Sequence, residues 1–225
     1  MLDISAQVTA LAERAHELLS DRPRVLVALA GAPGSGKSAL ATALARRLRD
    51  QRVPAEVVTL DGFLLDTTVL EARGLGRRKG APETHDWGGF LQTVRRLREG
   101  GEVVAPVFDR DRDIAIAGTV IVPPEARVVI CEGSYLLFDE DPWRELQPLW
   151  DLTARLDVPM PELRARLIQR WLDHGLSRAA ATRRAESNDV ANARRVIDRE
   201  LPAQLLLATR PEPTPAVPPR QAKPR

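Results

Sequence analysis

The sequence predicts an α/β fold: a three-layer sandwich with a mainly parallel sheet and a helical lid. Short apolar runs alternate with stretches of helical periodicity along the chain, and strands that alternate with helices build parallel sheets covered on both faces. Several of those runs end on an acid, at Asp61, Glu132 and Asp157. In open α/β sheets the carboxyl ends of strands are where ligand groups gather. At 225 residues the chain is long enough for one such domain with a sizeable core, and too short for two large ones.

Each element follows from local pattern. Residues 4–19 set Ile4, Val8, Leu11, Ala15, Leu18 and Leu19 on one helical face, and Asp21-Arg22-Pro23 ends the helix. His16 lies inside it with no His, Cys or acidic cluster nearby, so it reads as an ordinary helix histidine rather than a ligand. Residues 25–30 form a short buried strand. Residues 31–38 are a Gly-rich turn, and 39–48 a helix with Leu40, Leu44 and Leu48 inward. Residues 56–60 make a strand ending at Asp61. Residues 63–85 are mostly loop, with Gly74, Gly76, Gly80 and the basic run Arg77-Arg78-Lys79.

Residues 90–98 are helical, stopped by Gly100-Gly101, and 103–108 and 119–122 read as strands flanking an exposed loop. Residues 127–131 form an apolar run ending at Glu132, and 152–158 a weaker strand. Residues 161–174 are a helix with Pro161 in its first turn and Gly175 behind it. A charged helical stretch runs to Arg199, and 205–208 supply a last strand. One folded domain is therefore expected over residues 1–209, with a lid over about 161–188. Residues 210–225 hold six of the 18 prolines, too many for a helix or ladder, and are expected to be a disordered tail.

Composition removes several function classes. The longest uncharged stretch, residues 25–36, is broken by Gly and Pro and falls short of the ~18 apolar residues of a membrane span. Met1-Leu2-Asp3 begins no basic and then apolar leader, so no signal peptide is expected. Cys131 is the single cysteine, which excludes an intramolecular disulfide or a Cys-cluster metal site and fits a cytoplasmic protein. From Arg210 onward four cations and Glu212 give +3. Subtracting this from the whole-chain +2 leaves −1 on residues 1–209, and a body without positive excess argues against nucleic acid as partner.

The Gly-rich turn carries the chemistry. Gly31-Ala32-Pro33-Gly34-Ser35-Gly36-Lys37-Ser38 fits G-x-x-x-x-G-K-[ST] without a gap, between a predicted strand and a predicted helix. Glycines let backbone N–H groups curl around phosphate oxygens, and the helix turns its positive end to the anion. Lys37 is placed to reach the β and γ phosphates of ATP, and the Ser38 hydroxyl to ligate Mg²⁺. The fold is thus that of a P-loop NTPase. That fold also hosts transporters, switches and motors. The transporter segment L-S-G-G-Q is absent; Asp86-Trp87-Gly88-Gly89 matches the D-x-x-G of GTPases, but no N-K-x-D follows and the match is taken as chance.

A kinase also needs an acceptor-side base and a set of cations. Asp61, at a strand end facing the same crevice, is placed to take the proton from an acceptor hydroxyl, with Gly62 letting the chain turn sharply; a loop-capping Asp is the plainer alternative. Glu132 stands where an acid holds Mg²⁺ or its water shell, or else caps the turn at Gly133. Asp157 is followed so closely by Pro159 that turn-making competes with catalysis. Arg170 first and Arg166 second, one turn apart on the 161–174 helix, are the candidates to close over the transferring phosphoryl group, against the alternative of a solvated face.

The order of Gly31 to Ser38, Asp61-Gly62-Phe63, Lys79-Gly80-Ala81-Pro82-Glu83-Thr84-His85-Asp86, Pro106-Val107-Phe108 and Glu132-Gly133 resembles one group of P-loop kinases. It comprises uridine kinase, phosphoribulokinase and the bacterial pantothenate kinases, with a branch labelled fructose-transport or nucleoside kinases. The likeness spans roughly residues 24–200. It implies that Asp61 is the base, that Glu132 contacts metal or acceptor, and that the arginine-bearing helix is the lid. The acceptor would be a small metabolite hydroxyl, on a sugar, a nucleoside or a pantothenate-like alcohol, with a homodimer left open. The rival function is a nucleotide-dependent regulatory P-loop NTPase acting through a protein partner.

One stretch departs from the group. Pantothenate and uridine kinases place a Tyr and a His soon after the proline at position 106, whereas this chain continues Phe108, Asp109-Arg110-Asp111-Arg112-Asp113. Arg110 and Arg112 are therefore acceptor candidates suited to a polyhydroxylated or anionic substrate, or members of an exposed charged hairpin. Lys79 and His85 are further acceptor candidates, the latter equally readable as a solvated loop histidine. Asn188 or Asn192 is placed to read adenine, with helix capping by Asn188 or Asp189 as the alternative.

Overall fold

The computed structural model describes residues 4–208, so the Pro-rich segment 210–225 lies outside the described residues. In chain order the elements are α1 (Ser5–Leu19), β1 (Val25–Gly31), α2 (Lys37–Asp50), β2 (Ala55–Thr59), α3 (Thr67–Ala72) and α4 (Trp87–Glu99). There follow β3 (Val103–Asp109), β4 (Ile114–Val122), β5 (Val128–Gly133), β6 (Leu152–Asp157), α5 (Met160–Asp173), α6 (Arg178–Arg184), α7 (Val190–Asp198) and β7 (Leu205–Ala208). Five strands form one sheet in the order β2-β5-β1-β6-β7, with every pairing parallel.

Side-chain alternation on the central strands divides the core in two. Val25, Val27 and Leu29 of β1, with Val128 and Ile130 of β5, face α1 and α2; there Leu11, Ala15, Leu40, Leu44 and Leu48 are fully buried. Leu26, Ala28 and Ala30, with Val129 and Cys131, face the other layer, built from Phe90 and Val94 of α4, Leu163 and Leu167 of α5, and Val190 and Val196 of α7. Helices on both faces bury both sides of the sheet, which is why β1 and β5 are apolar throughout rather than alternating. Because the strands run parallel, all their carboxyl ends lie along one edge.

β3 and β4 form a separate antiparallel pair, with the register shifting between Ala105 and Val107. Pro106 stands at that shift: it has no N–H to give a ladder, so the strand bulges there.

Several expected boundaries move. β2 stops at Thr59, and a 3₁₀ turn over Leu60–Phe63 carries Asp61 beyond the strand. The stretch read as loop contains α3, capped by Asp66, whose carboxylate accepts from Thr68 N at 2.9 Å; six residues are too few for a helical period to stand out. β4 begins at Ile114, five residues early, which shortens the hairpin loop to residues 110–113. Within the charged helical stretch a widened π-helical turn, Ala185–Asp189, follows α6 and runs on into α7. The D-x-x-G match is a helix start, with Asp86 accepting from Gly89 N at 2.9 Å.

Candidate active site

The P-loop runs from the end of β1 into α2. Gly36 adopts φ +100°, a conformation a side chain resists, and so brings the first amides of α2 round to the loop's concave side. Lys37 opens the helix. Its Nζ donates to Ala32 O at 3.3 Å and Ser134 Oγ at 3.2 Å, and its side chain lies largely buried. Burial pushes this ammonium below its ordinary pKa, opposed by Glu132 and Asp61 nearby.

Glu132 is buried at the carboxyl end of β5, and one carboxylate oxygen, Oε1, accepts from Ser38 Oγ at 3.0 Å and Thr59 Oγ1 at 2.8 Å. Burial pushes the carboxyl up, and the Lys37 charge pulls it back. Thr59 and Ser134 were not singled out in the sequence. Each is a hydroxyl residue two positions from a strand-end acid, and that spacing is the signal they offered. A hydroxyl and a carboxylate oxygen beside a phosphate loop are hard donors suited to Mg²⁺, which keeps several waters and takes one or two protein oxygens. Among the described residues no group of three or more His, Cys, Asp or Glu could hold a metal alone.

Asp61 lines the same cavity as Pro33, Gly34, Lys37 and Ser38, a space of about 730 Å³. Its main-chain N–H donates to Thr59 Oγ1 at 3.2 Å, which fixes the turn, and its Oδ2 accepts from Arg110 Nη2 at 2.7 Å. Gly62 serves a different purpose from the sharp turn expected of it. A Cβ there would lie 2.4 Å from Pro106 O, so glycine lets the β3 main chain press against the Asp61 turn.

Arg166 and Arg170 both line the cavity from α5, with different partners. Arg166 Nη1 donates to Gly34 O at 3.2 Å and Ser35 O at 3.1 Å, and Nη2 pairs with Glu162. It thereby clamps α5 to the P-loop. Arg170 has no hydrogen-bond or ion-pair partner within contact distance among the described residues. Burial and the nearby Arg110 lower its pKa, with Asp189 and Asp61 acting in the opposite direction. A guanidinium stays charged through such a shift, so Arg170 presents an uncommitted cation to the cavity.

The other candidates separate. Lys79 lines the cavity, with Nζ donating to Thr67 Oγ1 at 2.9 Å and to Asp113 O at 2.8 Å. It is one of only three lysines in the chain, beside 30 arginines, a compositional signal pointing to the same residue. His85 is buried and does not line the cavity. Its Nδ1 lies 3.0 Å from Ala81 O, its ring packs against Tyr135 and Trp143, and burial holds its pKa down. Arg112 is not brought to the cavity. Its side chain is 65% exposed, 3.9 Å from Asp109. Asn188 Nδ2 donates to Lys79 O at 2.8 Å and Asn192 Nδ2 to Asn188 Oδ1 at 3.2 Å, so this pair braces the Lys79 loop and caps no helix. Asp189 accepts from Trp171 Nε1 at 2.6 Å.

The chain is similar to several known proteins. The sequence model described as the Phosphoribulokinase / Uridine kinase family matches residues 26–193. A Schizosaccharomyces pombe protein provisionally named a uridine kinase is 36% identical over 196 residues, covering 81% of this chain and 82% of its own. A pantothenate kinase of Rhodococcus erythropolis is 32% identical over 150 residues, 65% of this chain and 48% of its own. The crystal structure of a Silicibacter sp. TM1040 protein, provisionally called a fructose transport system kinase, superposes with a TM-score of 0.85 at 55% identity, covering 88% of this chain and 98% of that one.

Proposed function

The chain belongs to the phosphoribulokinase / uridine kinase family, and from that premise we propose that it transfers the γ-phosphoryl group of ATP to a hydroxyl of a small metabolite. The observation that carries the reading is one cavity lined at once by the phosphate loop, the Glu132 carboxylate, Asp61 and Arg170. The loop amides and Lys37 hold the phosphates, while Ser38 and Glu132 are the residues to hold Mg²⁺, which offsets phosphate charge when bound. Asp61 accepts the acceptor proton as the acceptor oxygen bonds to the γ phosphorus. The bond from that phosphorus to the bridging oxygen breaks, and its electron pair leaves with ADP. Arg170, one helical turn from the residue that grips the P-loop, balances charge on the transferring group. The names of the relatives, which mention uridine, pantothenate and fructose, support a small-molecule acceptor.

Incubation with γ-labelled ATP and pooled small alcohols tests this. Label is expected in an organic product only when acceptor is present. Acceptor-independent release of phosphate, with a protein partner bound only in the ATP state, would overturn it in favour of a regulatory NTPase.

A further inference from the structure

The acceptor half of the cavity, around Asp61 and the β3–β4 turn, holds charge in matched pairs. Arg110 is paired with Asp61 at 2.7 Å and Lys79 with Asp113 at 2.9 Å. An ammonium has three hydrogens to give, and Lys79 has three acceptors in place: the Asp113 carboxylate, the Asp113 carbonyl and Thr67 Oγ1. These four charges sum to zero. An anionic acceptor bound there adds a negative charge that these four leave unbalanced, beside two carboxylates. Uncharged hydroxyls displace nothing. They donate to carboxylate oxygens and accept from the guanidinium N–H groups that Asp61 leaves unused. Arg170, the uncommitted cation, lies near Arg110 and Asp61 as well as Lys37, and in the reading above its charge is taken up by the transferring phosphoryl group.

One face each of Phe108 and Trp171, which line the cavity, is also taken. The Phe108 ring carries the Lys79 ammonium over one face, 5.2 Å from its centroid. Trp171 carries Arg184 over one face at 4.8 Å, with its N–H held by Asp189. A planar base would have at most the remaining face of each ring to stack on.

We propose that the acceptor is an uncharged polyhydroxy compound, a free sugar or alditol, rather than a carboxylate, a phosphate ester or a nucleoside; this rests on the kinase reading above. The test compares kcat/KM for free ketoses, aldoses and alditols with uridine, pantothenate and sugar phosphates. A free sugar or alditol is expected to lead the charged and nucleoside acceptors by about tenfold or more, the size of one unmatched charged contact. Asp113→Asn, at an exposed position where Asn tolerates the positive φ, releases Lys79 and should raise the anionic-to-neutral ratio by about tenfold. Preference for uridine, pantothenate or a sugar phosphate, or an unchanged ratio in Asp113→Asn, overturns the proposal and leaves the kinase reading standing. If no acceptor is labelled although ATP binds, the kinase reading itself falls and this proposal with it.

Discussion

The two halves of the cavity are built by different means. The phosphate half is mostly one contiguous stretch, eight residues of loop and the first turn of α2, joined by Glu132 at the end of a strand with no exposed position. Its working groups are main-chain amides, which cannot be placed without the strand–turn–helix geometry around them. The acceptor half comes from three separated segments, around residue 61, residue 79 and the 110–113 hairpin loop, and is held by ion pairs whose side chains are mostly part-exposed. Such pairs contribute about 0–1 kcal/mol each to stability. The first half therefore tolerates little change in sequence, whereas the second can be re-specified without unfolding the domain.

Substitutions at the junction and in each half test that contrast, and Asp61→Asn is expected to act most strongly. Loss of the base should lower kcat by about 10²–10⁴ while leaving ATP affinity little changed; ATP titration and single-turnover kinetics separate the two. An equal loss of ATP binding would mean that Asp61 belongs to the phosphate half. Lys37→Met should lower kcat/KM for ATP by about 10²–10³. Its thermal midpoint should not fall, because a buried charge is exchanged for an apolar stem of similar length. A marked fall in midpoint would show that the lysine holds the loop rather than the nucleotide.

Glu200 probes how costly burial is beneath the phosphate half. It lies beside Ala32 in a small void of about 40 Å³, with one carboxylate oxygen unpartnered and Arg155 3.4 Å away. Burial pushes its pKa up from 4.5 to about 7. The folded state therefore binds the proton more tightly than the unfolded chain. That contribution is complete below about pH 4.5 and is lost as pH rises through about 7. Glu200→Gln should gain about 1–3 kcal/mol over the parent in denaturant melts at pH 8 and nothing at pH 4; a pH-independent difference would remove Glu200 as the titrating group. The smallest effect belongs to the exposed half. Arg110→Met should raise acceptor KM about tenfold and spare both ATP KM and the melting temperature. Loss of stability there would break the contrast.

How much of this was readable in the sequence varies by half in the same way. The P-loop is a contiguous motif, and the apolar runs and leucine spacing around it placed β1, α2 and β5 within two residues of where they lie. Around the acceptor the pattern failed by degrees. α3 is too short to declare a period, and the alternation in β4 was hidden by Ala115, Ala117 and Gly118. Arg110 and Arg112 were equivalent in sequence, since alternating charges on a turn do not say which one faces inward. The fold turned Arg110 onto Asp61 and left Arg112 in solvent. His85 looked like a loop histidine and is walled in by Tyr135 and Trp143, which follow it by 50 and 58 positions.

Local spacing by itself determined a parallel α/β domain with a phosphate loop at the end of its first strand, because backbone conformation and helix polarity act over a few residues. Only the tertiary structure decided which side chains meet: Ser38 and Thr59 on one oxygen of Glu132, Arg166 on the loop carbonyls, Arg110 on Asp61. Those contacts join residues 49 to 132 positions apart, whose distances depend on strand order and crossover and leave no periodic trace in the chain.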